Sequence, residues 1–515
     1  MTSRMTSFMV VLCLCFSCWP FCILVANAQQ QQKSERKPSV AIVGAGIGGS
    51  STSFFLRELL GERVQIEVFD KSNTPGGRAD HFMYEGKAFE TGASIIYSGN
   101  RYLFNLTELV GLKRVDPAVR EGSGTGIWDG ERFVLVTTRF GLLNLLKMLW
   151  RYGRSLFSLN SMVGDALKKF DRIYELQEAG KVFHGPGGLW GEVGLLDLTK
   201  ISIAEYIGMR MGKRGSLIKR ELSHAANRVN YNQGNELNAL AGVVSLCPAV
   251  TGDLFKVEGG NSRLAEELLR KSATNLRLET RITEVRGSLK NGYSLYGADR
   301  EQLGTFDAVI IAAPLVLADI ALDVRKEDGT AEQLLQPLQV VKYQEVHTTF
   351  VKGEVNRAFF GVGPGQSMPP TVMLAEGAVD SFFSSLALYQ WIGDPADRIG
   401  LYKVFSRQEL WTGALDSLFV AGSWEVLHHR EWRAYPVHAP TEAFSPAMLF
   451  QDQPVWYVNS LEEGVSAMEI AAISAKNAAL GVANSLSRAQ ESRSLRQQGQ
   501  GAATAAADGF GDGEF

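Results

Sequence analysis

The sequence predicts a two-domain α/β protein in which one domain is assembled from separated segments of the chain. A short apolar run at Ser39–Val43, an amphipathic segment at Ser50–Leu60 and a second apolar run at Val64–Phe69 form a β-α-β pattern. Apolar runs of the same kind return at Phe306–Pro314 and Val455–Ser460, and strands buried on both faces are typical of parallel sheets. The blocks between these runs alternate differently, which predicts an inserted second domain of mixed sheet and helices.

Composition places most of the chain among folded proteins and gives no reason to expect a nucleic-acid partner. The 515 residues are 45% hydrophobic and 21% charged, and the formal net charge is −3. Four of the five cysteines lie in the first 22 residues, so only Cys247 remains beyond them. An internal disulfide and Cys-x-x-Cys chemistry are therefore excluded for the rest of the chain.

Residues 1–28 resemble a secretory signal peptide. A basic residue precedes an apolar run from Phe8 to Val25, and "ANA" at Ala26–Ala28 supplies a small-x-small cleavage site. A retained signal anchor is the alternative because the run is long, although Pro20 and the cleavage site weigh against it. Entry into the secretory pathway would make the sequon that begins at Asn105 usable for glycosylation.

Three glycines at the first strand-to-helix corner predict a dinucleotide site. Gly44, Gly46 and Gly49 form a G-x-G-x-x-G motif between the first strand and the helix. The first glycine permits a tight turn, the second lets a pyrophosphate approach the backbone, and the third lets helix and strand pack closely. The helix N-terminus offers N–H groups and its dipole to the phosphates. Asp70, 21 residues after Gly49, follows the second strand, where a carboxylate can accept from ribose hydroxyls rather than serve as a solvated turn acid.

The residues after the second strand favour FAD over NAD. "PGGRAD" contains Gly76, Gly77 and Arg78, and this extension resembles that of FAD-dependent amine oxidases, in which backbone and guanidinium reach the cofactor. "FETGASII", with Gly92, resembles the strand that passes the flavin in that group. "LRLETRITEV" resembles a later segment, where Ile282 would present backbone to the adenine. The resemblance implies an FAD-binding, Rossmann-like domain similar to that of flavin amine oxidases. Lack of a second glycine fingerprint after a plausible strand favours O2 over NADPH as the partner of the flavin.

Segments outside the cofactor motifs resemble the prenylcysteine oxidase family, called farnesylcysteine lyase in plants. The resemblance is carried by "NRVNYNQGNELNALAGVVSL", "WRAYPVHAP" and "VWYVNSLEEGVSAMEIAAISAKNAA", with shorter matches at "GIWDGERFV" and "VHTTFV". It extends from about residue 39 to about residue 486. It implies an FAD-dependent oxidoreductase that cleaves S-farnesyl- or S-geranylgeranylcysteine with O2, releasing cysteine, the prenyl aldehyde and hydrogen peroxide. It also implies a lysosomal or vacuolar location, which agrees with a signal peptide.

These patterns together predict the domain boundaries. The FAD-binding domain is expected to be discontinuous, and the substrate domain to fill its two gaps. The expected segments are a signal peptide (1–28), a linker (29–38), the FAD-binding domain (39–100, 251–315 and 441–486), the substrate domain (101–250 and 316–440) and a disordered tail (487–515).

Few candidate catalytic side chains are expected, because the cofactor performs the difficult step and the protein supplies placement and dryness. His347 and Tyr435 lie in family-like segments and are candidates for proton movement or for holding the amino-acid end of the substrate. Packed or surface side chains are the alternative interpretation. Glu258 and Glu469 are candidates for binding the substrate ammonium, or they cap nearby backbone.

The end of the cofactor domain supplies two further candidates for cofactor contacts. Asn459 and Glu462 follow the last strand, where the final motif of flavin amine oxidases meets the pyrophosphate and the ribityl chain. We expect no metal site, because the seven histidines show no ligand spacing. We also expect non-covalent FAD, because the cofactor motifs contain no obvious histidine or cysteine tether.

Residues 138–159 form an apolar helical segment with a polar stripe. Asn144, Lys147, Arg151 and Arg154 recur at spacings of three, four and three on a surface otherwise rich in Leu, Met, Trp and Phe. Such a helix can lie in a bilayer interface or line an apolar substrate tunnel while its charges face water. The alternative is a helix packed inside the substrate domain.

Two other functions remain open at this stage. One is another flavin oxidase or desaturase with the amine oxidase architecture, which the family-like middle segments weigh against. The other is a secreted lipid-binding protein with a vestigial flavin site, which the intact glycines and Asp70 weigh against. A yellow protein that is bleached by substrate would exclude the second.

Overall fold

The computed structural model describes residues 36–117, 124–138, 140–363 and 365–508, with side chains described as far as residue 491. The predicted signal peptide and residues 29–35 of the predicted linker lie outside these ranges. The helices in the described ranges are α1 (Ile47–Leu60), α2 (Arg101–Leu109), α3 (Gly141–Tyr152), α4 (Ser155–Glu178), α5 (Pro186–Glu192), α6 (Ile203–Met211), α7 (His224–Tyr231), α8 (Ala239–Thr251), α9 (Ser262–Lys271), α10 (Leu315–Ala318), α11 (Thr412–Leu418) and α12 (Met468–Asp508).

The strands of the same ranges form five sheets, two of which build the site. The strands are β1 (Ser39–Val43), β2 (Gln65–Phe69), β3 (His81–Tyr84), β4 (Lys87–Glu90), β5 (Ile96–Tyr97), β6 (Arg114–Val115), β7 (Thr125–Trp128), β8 (Phe133–Val136), β9 (Leu254–Val257), β10 (Asn275–Arg277), β11 (Glu284–Ser288), β12 (Gly292–Tyr296), β13 (Gln302–Phe306), β14 (Ala308–Ile311), β15 (Ala321–Val324), β16 (Tyr343–Gly353), β17 (Thr371–Leu374), β18 (Ser385–Trp391), β19 (Gly400–Ser406), β20 (Glu425–Pro436) and β21 (Val455–Tyr457).

The first of these sheets is parallel and is collected from distant parts of the chain. Its strand order is β10-β2-β1-β14-β21, and Val43 of β1 lies beside both Phe69 of β2 and Ile311 of β14. One face packs on α1, α9 and α12, whereas the other packs on the sheet β13-β12-β11-β15. The prediction of an α/β protein with a discontinuous Rossmann-like unit is confirmed in fold class.

Helix α1 begins three residues earlier than the sequence predicted. Its N-cap is Gly46 and its first residue is Ile47, so Gly48 and Gly49 belong to the helix rather than to the turn. Glycine weakens a helix by about 1 kcal/mol relative to alanine, but packing against the sheet outweighs this local preference. The whole first turn is buried except for the side facing the cavity described below.

The second sheet is mixed and belongs to the inserted part of the chain. Its order is β20-β16-β19-β18-β17-β7-β8, with antiparallel pairs throughout except for the parallel pair β17 and β7. Helices α4 to α8 pack together beside it in a separate apolar cluster. Two segments distant in sequence, 125–136 and 343–436, therefore share one sheet.

The last helix differs from the sequence expectation. Residues 487–508 continue α12, although 487–515 was predicted to be a disordered tail. Ala, Gln and Arg are frequent there and have high intrinsic helix propensity, which a prediction based on low complexity underweights. Across the described ranges, none of the helices combines the length and the hydropathy needed to cross a bilayer.

Candidate active site

A cavity of about 1010 Å³ lies between the parallel sheet and the seven-stranded sheet. On one side it reaches the carboxyl ends of β1, β2 and β14, the edge at which open α/β sheets bind ligands. On the other side it is lined by residues of β16, β19 and β20 and by the α7 and α8 helices. The two parts of the chain therefore contribute opposite walls of one cavity.

Two glycine corners lie against each other on the cofactor side. The Gly76 N–H donates to the Ala45 carbonyl at 3.0 Å, and Gly46 and Gly76 form a parallel bridge. A Cβ on Gly77 would come within 3.3 Å of the Gly46 Cα, so side chains would force the corners apart. Helix α1 has no side-chain cap, which leaves its first-turn N–H groups at the cavity. This arrangement fits a diphosphate.

The three glycines of the motif are required for different reasons. A Cβ on Gly49 would lie 1.8 Å from the Gly44 carbonyl oxygen, and one on Gly44 would lie 2.6 Å from the Ala312 carbonyl oxygen. Gly44 also has a φ of +112°, which other residues rarely adopt. A Cβ on Gly46 would meet nothing closer than 3.6 Å. Protein packing therefore requires Gly44 and Gly49, whereas Gly46 leaves space open on the cavity side.

Asp70 lies at the cavity and is fixed by backbone donors. Its Oδ2 accepts from the Ala45 N–H at 2.6 Å and its Oδ1 accepts from the Ser72 N–H at 2.8 Å. A carboxylate has about four lone-pair positions, so two remain for hydroxyl donors. The structure thus adds a structural role to Asp70, the closing of the glycine corner, that the motif alone did not predict.

Arg78 and Glu462 meet in an ion pair at the cavity wall. Arg78 donates to Glu462 Oε2 at 2.5 Å and to the Ala434 carbonyl at 3.0 Å. The Tyr343 hydroxyl donates to the other oxygen of Glu462. Arg78 and Glu462 both line the cavity, as a cofactor role requires, but their charges are already paired with each other. The pair joins the Gly76–Arg78 corner to β16 and to the segment after β21.

The remaining predicted cofactor residues also reach the cavity. Gly92 lines it, and a Cβ there would lie 1.9 Å from the Arg78 carbonyl oxygen. Ile282 lines it as a buried side chain just after Thr280, whose N–H donates to the Asp70 carbonyl. Asn459 lines it too, and its buried Oδ1 has no hydrogen-bond partner among the described residues. An orphaned acceptor of this kind is expected to be satisfied by a bound molecule.

The predicted catalytic candidates separate into two groups. Tyr435 lines the cavity, packs edge-on against Tyr231 at 5.2 Å, and has its pKa raised well above the usual value by burial. His347 is not a lining residue; it is buried within the sheet and meets His429 at 3.0 Å. Glu258 is exposed and pairs with Lys113 at 2.8 Å. The placement of His347 and Glu258 argues against a catalytic role for either, because neither reaches the cavity.

Glu469 lies in the protein interior as a cap rather than as a substrate ligand. Its carboxylate accepts from the N–H groups of Tyr102 and Leu103 at 2.9 and 3.0 Å, and from the Tyr174 hydroxyl at 2.7 Å. It therefore satisfies the first turn of α2, whose own N-cap residue makes no side-chain bond. Burial raises the pKa of Glu469 to about 7.

Sequence reasoning missed Lys403, a buried cation that lines the cavity. It lies on β19 and donates to the Glu90 carbonyl and to Ser94 Oγ, both at 2.8 Å. Burial lowers the pKa of Lys403 to about 7 and raises that of the neighbouring Glu90 to about 7. A lysine in the middle of a strand otherwise facing the core, in "LYKVFS", is the sequence signal that could have found it.

The family-like segment "NRVNYNQ" forms the opposite wall. Residues 228–232 line the cavity, and a π-helical turn at 218–223 leads into them, a feature common at functional sites. Asn227 and Asn235 hydrogen-bond at 3.1 Å, and Asn232 donates to the Ser406 carbonyl at 3.1 Å. This buried polar network fixes the position of the wall.

Three ligand-type side chains gather outside the cavity. Oxygen or nitrogen atoms of Glu345, His347 and Glu431 lie within 4.8 Å of one another. Arg433 pairs with Glu345 at 3.0 Å and His347 contacts His429 at 3.0 Å, so two of the three side chains also have other partners. The absence of a metal site stays a prediction from the sequence.

Comparison with known proteins assigns the family. The model of the family described as prenylcysteine lyase matches residues 135–494, and that of the NAD(P)-binding Rossmann-like domain matches residues 42–110. The chain belongs to the prenylcysteine lyase family. Prenylcysteine oxidase 1 of Mus musculus is 31% identical to it over 88% of this chain and 90% of that protein. Farnesylcysteine lyase of Arabidopsis thaliana is 32% identical over 86% and 87%.

Solved structures with the same fold include amine oxidases. A putrescine oxidase variant superposes with a TM-score of 0.56 at 15% identity, covering 88% of this chain and 99% of its own. Cyclohexylamine oxidase of Brevibacterium oxydans gives 0.54 at 14% identity, covering 88% and 100%. These likenesses establish the fold and agree with the predicted architecture.

The cofactor of this protein is FAD, and the lining of the cavity fits that molecule. The bare glycine corners suit the diphosphate, Asp70 retains acceptor positions for a ribose, and Asn459 offers an unpartnered oxygen. Non-covalent binding stays a prediction. Cys247 lines the cavity, but burial raises the pKa of its thiol to about 11, which disfavours the nucleophilic thiolate.

Proposed function

We propose that this protein is an FAD-dependent thioether oxidase that cleaves S-prenylcysteine. The reaction consumes the thioether, water and O2, and it yields the prenyl aldehyde, cysteine and hydrogen peroxide. The observation that supports it most is a single cavity joining a dinucleotide corner to a wall formed by "NRVNYNQ" in a member of the prenylcysteine lyase family. Relatives along nearly the whole chain carry the names prenylcysteine oxidase and farnesylcysteine lyase.

The substrate side of the cavity suits a long apolar chain. Val244, Val346, Phe405, Trp432 and Ile470 are among its lining residues. Burying an isoprenoid against such side chains is favourable and excludes water from the reacting carbon. FAD supplies the chemistry when bound, by accepting a hydride from the carbon beside sulfur and passing two electrons to O2.

Lys403 is the group best placed to move a proton. Water must lose a proton when it adds to the oxidised carbon, and sulfur must gain one when the thiol leaves. With a pKa of about 7, the Lys403 amine exists in both states near neutrality. It can accept the first proton at Nζ, while Ser94 Oγ and the Glu90 carbonyl hold it at the cavity wall.

A peroxide assay distinguishes this function from its two alternatives. The purified protein should release hydrogen peroxide with farnesylcysteine and not with putrescine or cyclohexylamine. Peroxide from the amines alone would favour another flavin oxidase of the same fold. A protein that binds farnesylcysteine without releasing peroxide or cysteine would favour a lipid-binding function with a vestigial flavin site.

Farnesyl and geranylgeranyl thioethers are both proposed substrates. The location proposed for the reaction is the secretory pathway, with the lysosome or vacuole as its end point. The apolar N-terminus of the sequence supports this, and Asn105 of the sequon is exposed on α2. Glycosidase treatment of protein from a eukaryotic secretory host should shift the mobility of the wild type and not that of Asn105→Gln. An unglycosylated protein retained in the cytosol would contradict both the proposed location and the glycosylation of Asn105.

We also propose that α3 contacts a lipid bilayer. The helix is inverted relative to the usual amphipathic pattern, because its polar stripe faces the protein. Asn144 bonds to Thr138, Lys147 donates to the Val136 carbonyl at 3.0 Å, and Arg151 pairs with Glu221. The expectation that the charges of the stripe face water is therefore wrong for Lys147 and Arg151, and the neutral Asn144 also bonds within the protein.

The outward face of this helix is apolar to an unusual degree. Trp150 is 87% exposed and Leu142 is 73% exposed, and Phe140, Leu146 and Phe157 are also more than half exposed. Contiguous exposed apolar surface marks an interaction site. Basic Arg154 and Arg214 are exposed beside it, the latter held next to α4 by a bond from Ser155 to its carbonyl. Apolar side chains beside cations match the anionic interface of a membrane, where prenylated substrates partition.

Vesicle sedimentation tests this contact. Trp150→Glu should weaken binding to phosphatidylcholine vesicles containing phosphatidylserine by about tenfold or more. Val340→Glu, at a residue 95% exposed elsewhere, is the matched control and should bind as the wild type does. Equal binding by both variants would contradict the proposal, as would a Trp150→Glu variant whose only change is loss of a homodimer.

A further inference from the structure

Arg228 is a buried cation with almost no partner. Its side chain is 1% exposed and lines the cavity from α7. The Nε and Nη1 atoms have no hydrogen-bond partner among the described residues, and Nη2 reaches only the Phe383 carbonyl at 3.4 Å. Burying a charge without a counterion is costly, so a guanidinium left this way in a folded protein indicates a missing anion.

The surroundings of Arg228 do not supply that anion. Burial, with the nearby Arg407, lowers its pKa to about 10. Glu236 is the neighbouring carboxylate that opposes this shift, yet it forms no ion pair with Arg228 within the described residues and accepts instead from the Gly234 N–H. Within the described residues, no carboxylate therefore neutralises the Arg228 guanidinium, and the nearby Arg407 adds a second positive charge.

The backbone on both sides of Arg228 is held in place. Asn227 bonds to Asn235, and Asn232 bonds to Ser384 and to the Ser406 carbonyl. A guanidinium carried by such a wall is preorganised, and its planar fork matches a carboxylate bidentately. The apolar lining described above begins on the same wall, at Val229 and Val244.

We propose that Arg228 forms the subsite for the α-carboxylate of the substrate. This assignment rests on the proposed function, because S-prenylcysteine joins one apolar chain to one amino-acid carboxylate. The carboxylate anchors at Arg228 and the isoprenoid occupies the apolar lining, which fixes the thioether between them. The enzyme is then selective for prenylcysteine with a free α-carboxylate over its esterified forms, because an ester carries no negative charge for the guanidinium.

Steady-state kinetics with a matched pair of substrates test the subsite. The wild type should prefer farnesylcysteine to its methyl ester by about 10- to 100-fold in kcat/KM, mainly through KM. Arg228→Gln should abolish that preference by raising KM for the acid, and Arg228→Lys should restore part of it. The ratio within one variant is independent of the fraction that folds. A wild type indifferent to esterification, or an Arg228→Gln variant that retains the preference, would overturn the assignment.

A binding experiment separates this subsite from the proposed function. S-dodecylcysteine has a saturated chain of comparable length. Its carbon beside sulfur is not allylic, so binding can be measured without oxidation of the ligand. By calorimetry the wild type should bind it about tenfold or more tightly than its methyl ester, and Arg228→Gln should bind both equally. That outcome supports the subsite even if farnesylcysteine is not oxidised. Equal binding by the wild type, or loss of yellow colour in Arg228→Gln with the preference intact, would place the guanidinium at another ligand.

Discussion

The two walls of the cavity differ in how their charged groups are paired. The cofactor wall comprises the glycine corners and the carboxyl ends of β1, β2 and β14, and the substrate wall comprises β16, β19, β20, α7 and α8. On the cofactor wall, the charged side chains have partners within the protein, as Asp70 has two N–H donors and Glu462 has Arg78. On the substrate wall, Arg228 lacks a counterion and Lys403 is buried with a lowered pKa. The cofactor wall is a preformed binding site, whereas the substrate wall has an unpaired positive charge that a substrate can neutralise in each turnover. Variants on the two walls should therefore fail in different ways.

The largest effect is expected at Gly46. Gly46→Leu should leave the protein folded, because a Cβ there meets nothing closer than 3.6 Å, but the longer side chain should enter the diphosphate space and abolish FAD binding. Absorbance of the purified protein near the flavin bands measures this. Gly44→Ala is the contrasting variant and should unfold at lower temperature, because its Cβ would lie 2.6 Å from a carbonyl oxygen. A yellow Gly46→Leu protein would contradict the preformed binding site.

The next largest effect is expected at Lys403. Lys403→Met should keep FAD and lower kcat by about 100-fold, the usual contribution of a positioned proton acceptor. In the wild type, kcat should rise as pH increases through about 7, because the neutral amine accepts the proton. The pH–rate profile of both proteins checks this. A Lys403→Met profile that retains the same inflection would assign it to another group.

A smaller effect, on stability alone, is expected at Glu469. Its pKa is raised from 4.5 to about 7, so the folded state binds the proton more tightly than the unfolded state. The stability this contributes is complete below pH 4.5 and is lost as pH rises to about 7. Glu469→Gln should remove that slope from the free energy of unfolding, measured by denaturant titration at several pH values. An unchanged slope would place the titration elsewhere.

The smallest effect is expected at His347. His347→Gln should change kcat/KM for farnesylcysteine by less than about twofold, because the residue lies in the sheet away from the cavity. Tyr435→Phe, at a cavity residue on β20, is the paired variant and should change it more. A His347→Gln protein that loses turnover but keeps FAD and melting temperature would restore the catalytic role that the sequence suggested.

The same contrast explains what the sequence could predict. The cofactor wall depends on glycines at fixed spacing after a strand, which carry their physical reason locally, and Gly44, Gly46, Gly76 and Gly77 all lie where the motif places them. The parallel strands were recognisable because burial on both faces makes them uniformly apolar.

The substrate wall was harder to predict because its groups meet only through tertiary structure. Lys403 is approached by Glu90 and Ser94 across more than 300 residues, a contact without local signature. His347 was a candidate because it lies in a family-like segment, whereas on β16 it is the neighbouring Val346 that lines the cavity. The polar stripe of α3 gave the right periodicity and the wrong direction, since spacing cannot tell which face meets the protein.

Anaerobic titration with farnesylcysteine tests the central claim most directly. The purified yellow protein, mixed with increasing farnesylcysteine in the absence of O2, should lose its visible flavin absorbance with an endpoint of one substrate per flavin. Farnesal and cysteine should form in the same amount, and admission of O2 should restore the colour. A flavin that stays oxidised under these conditions while farnesylcysteine is recovered intact would contradict the account.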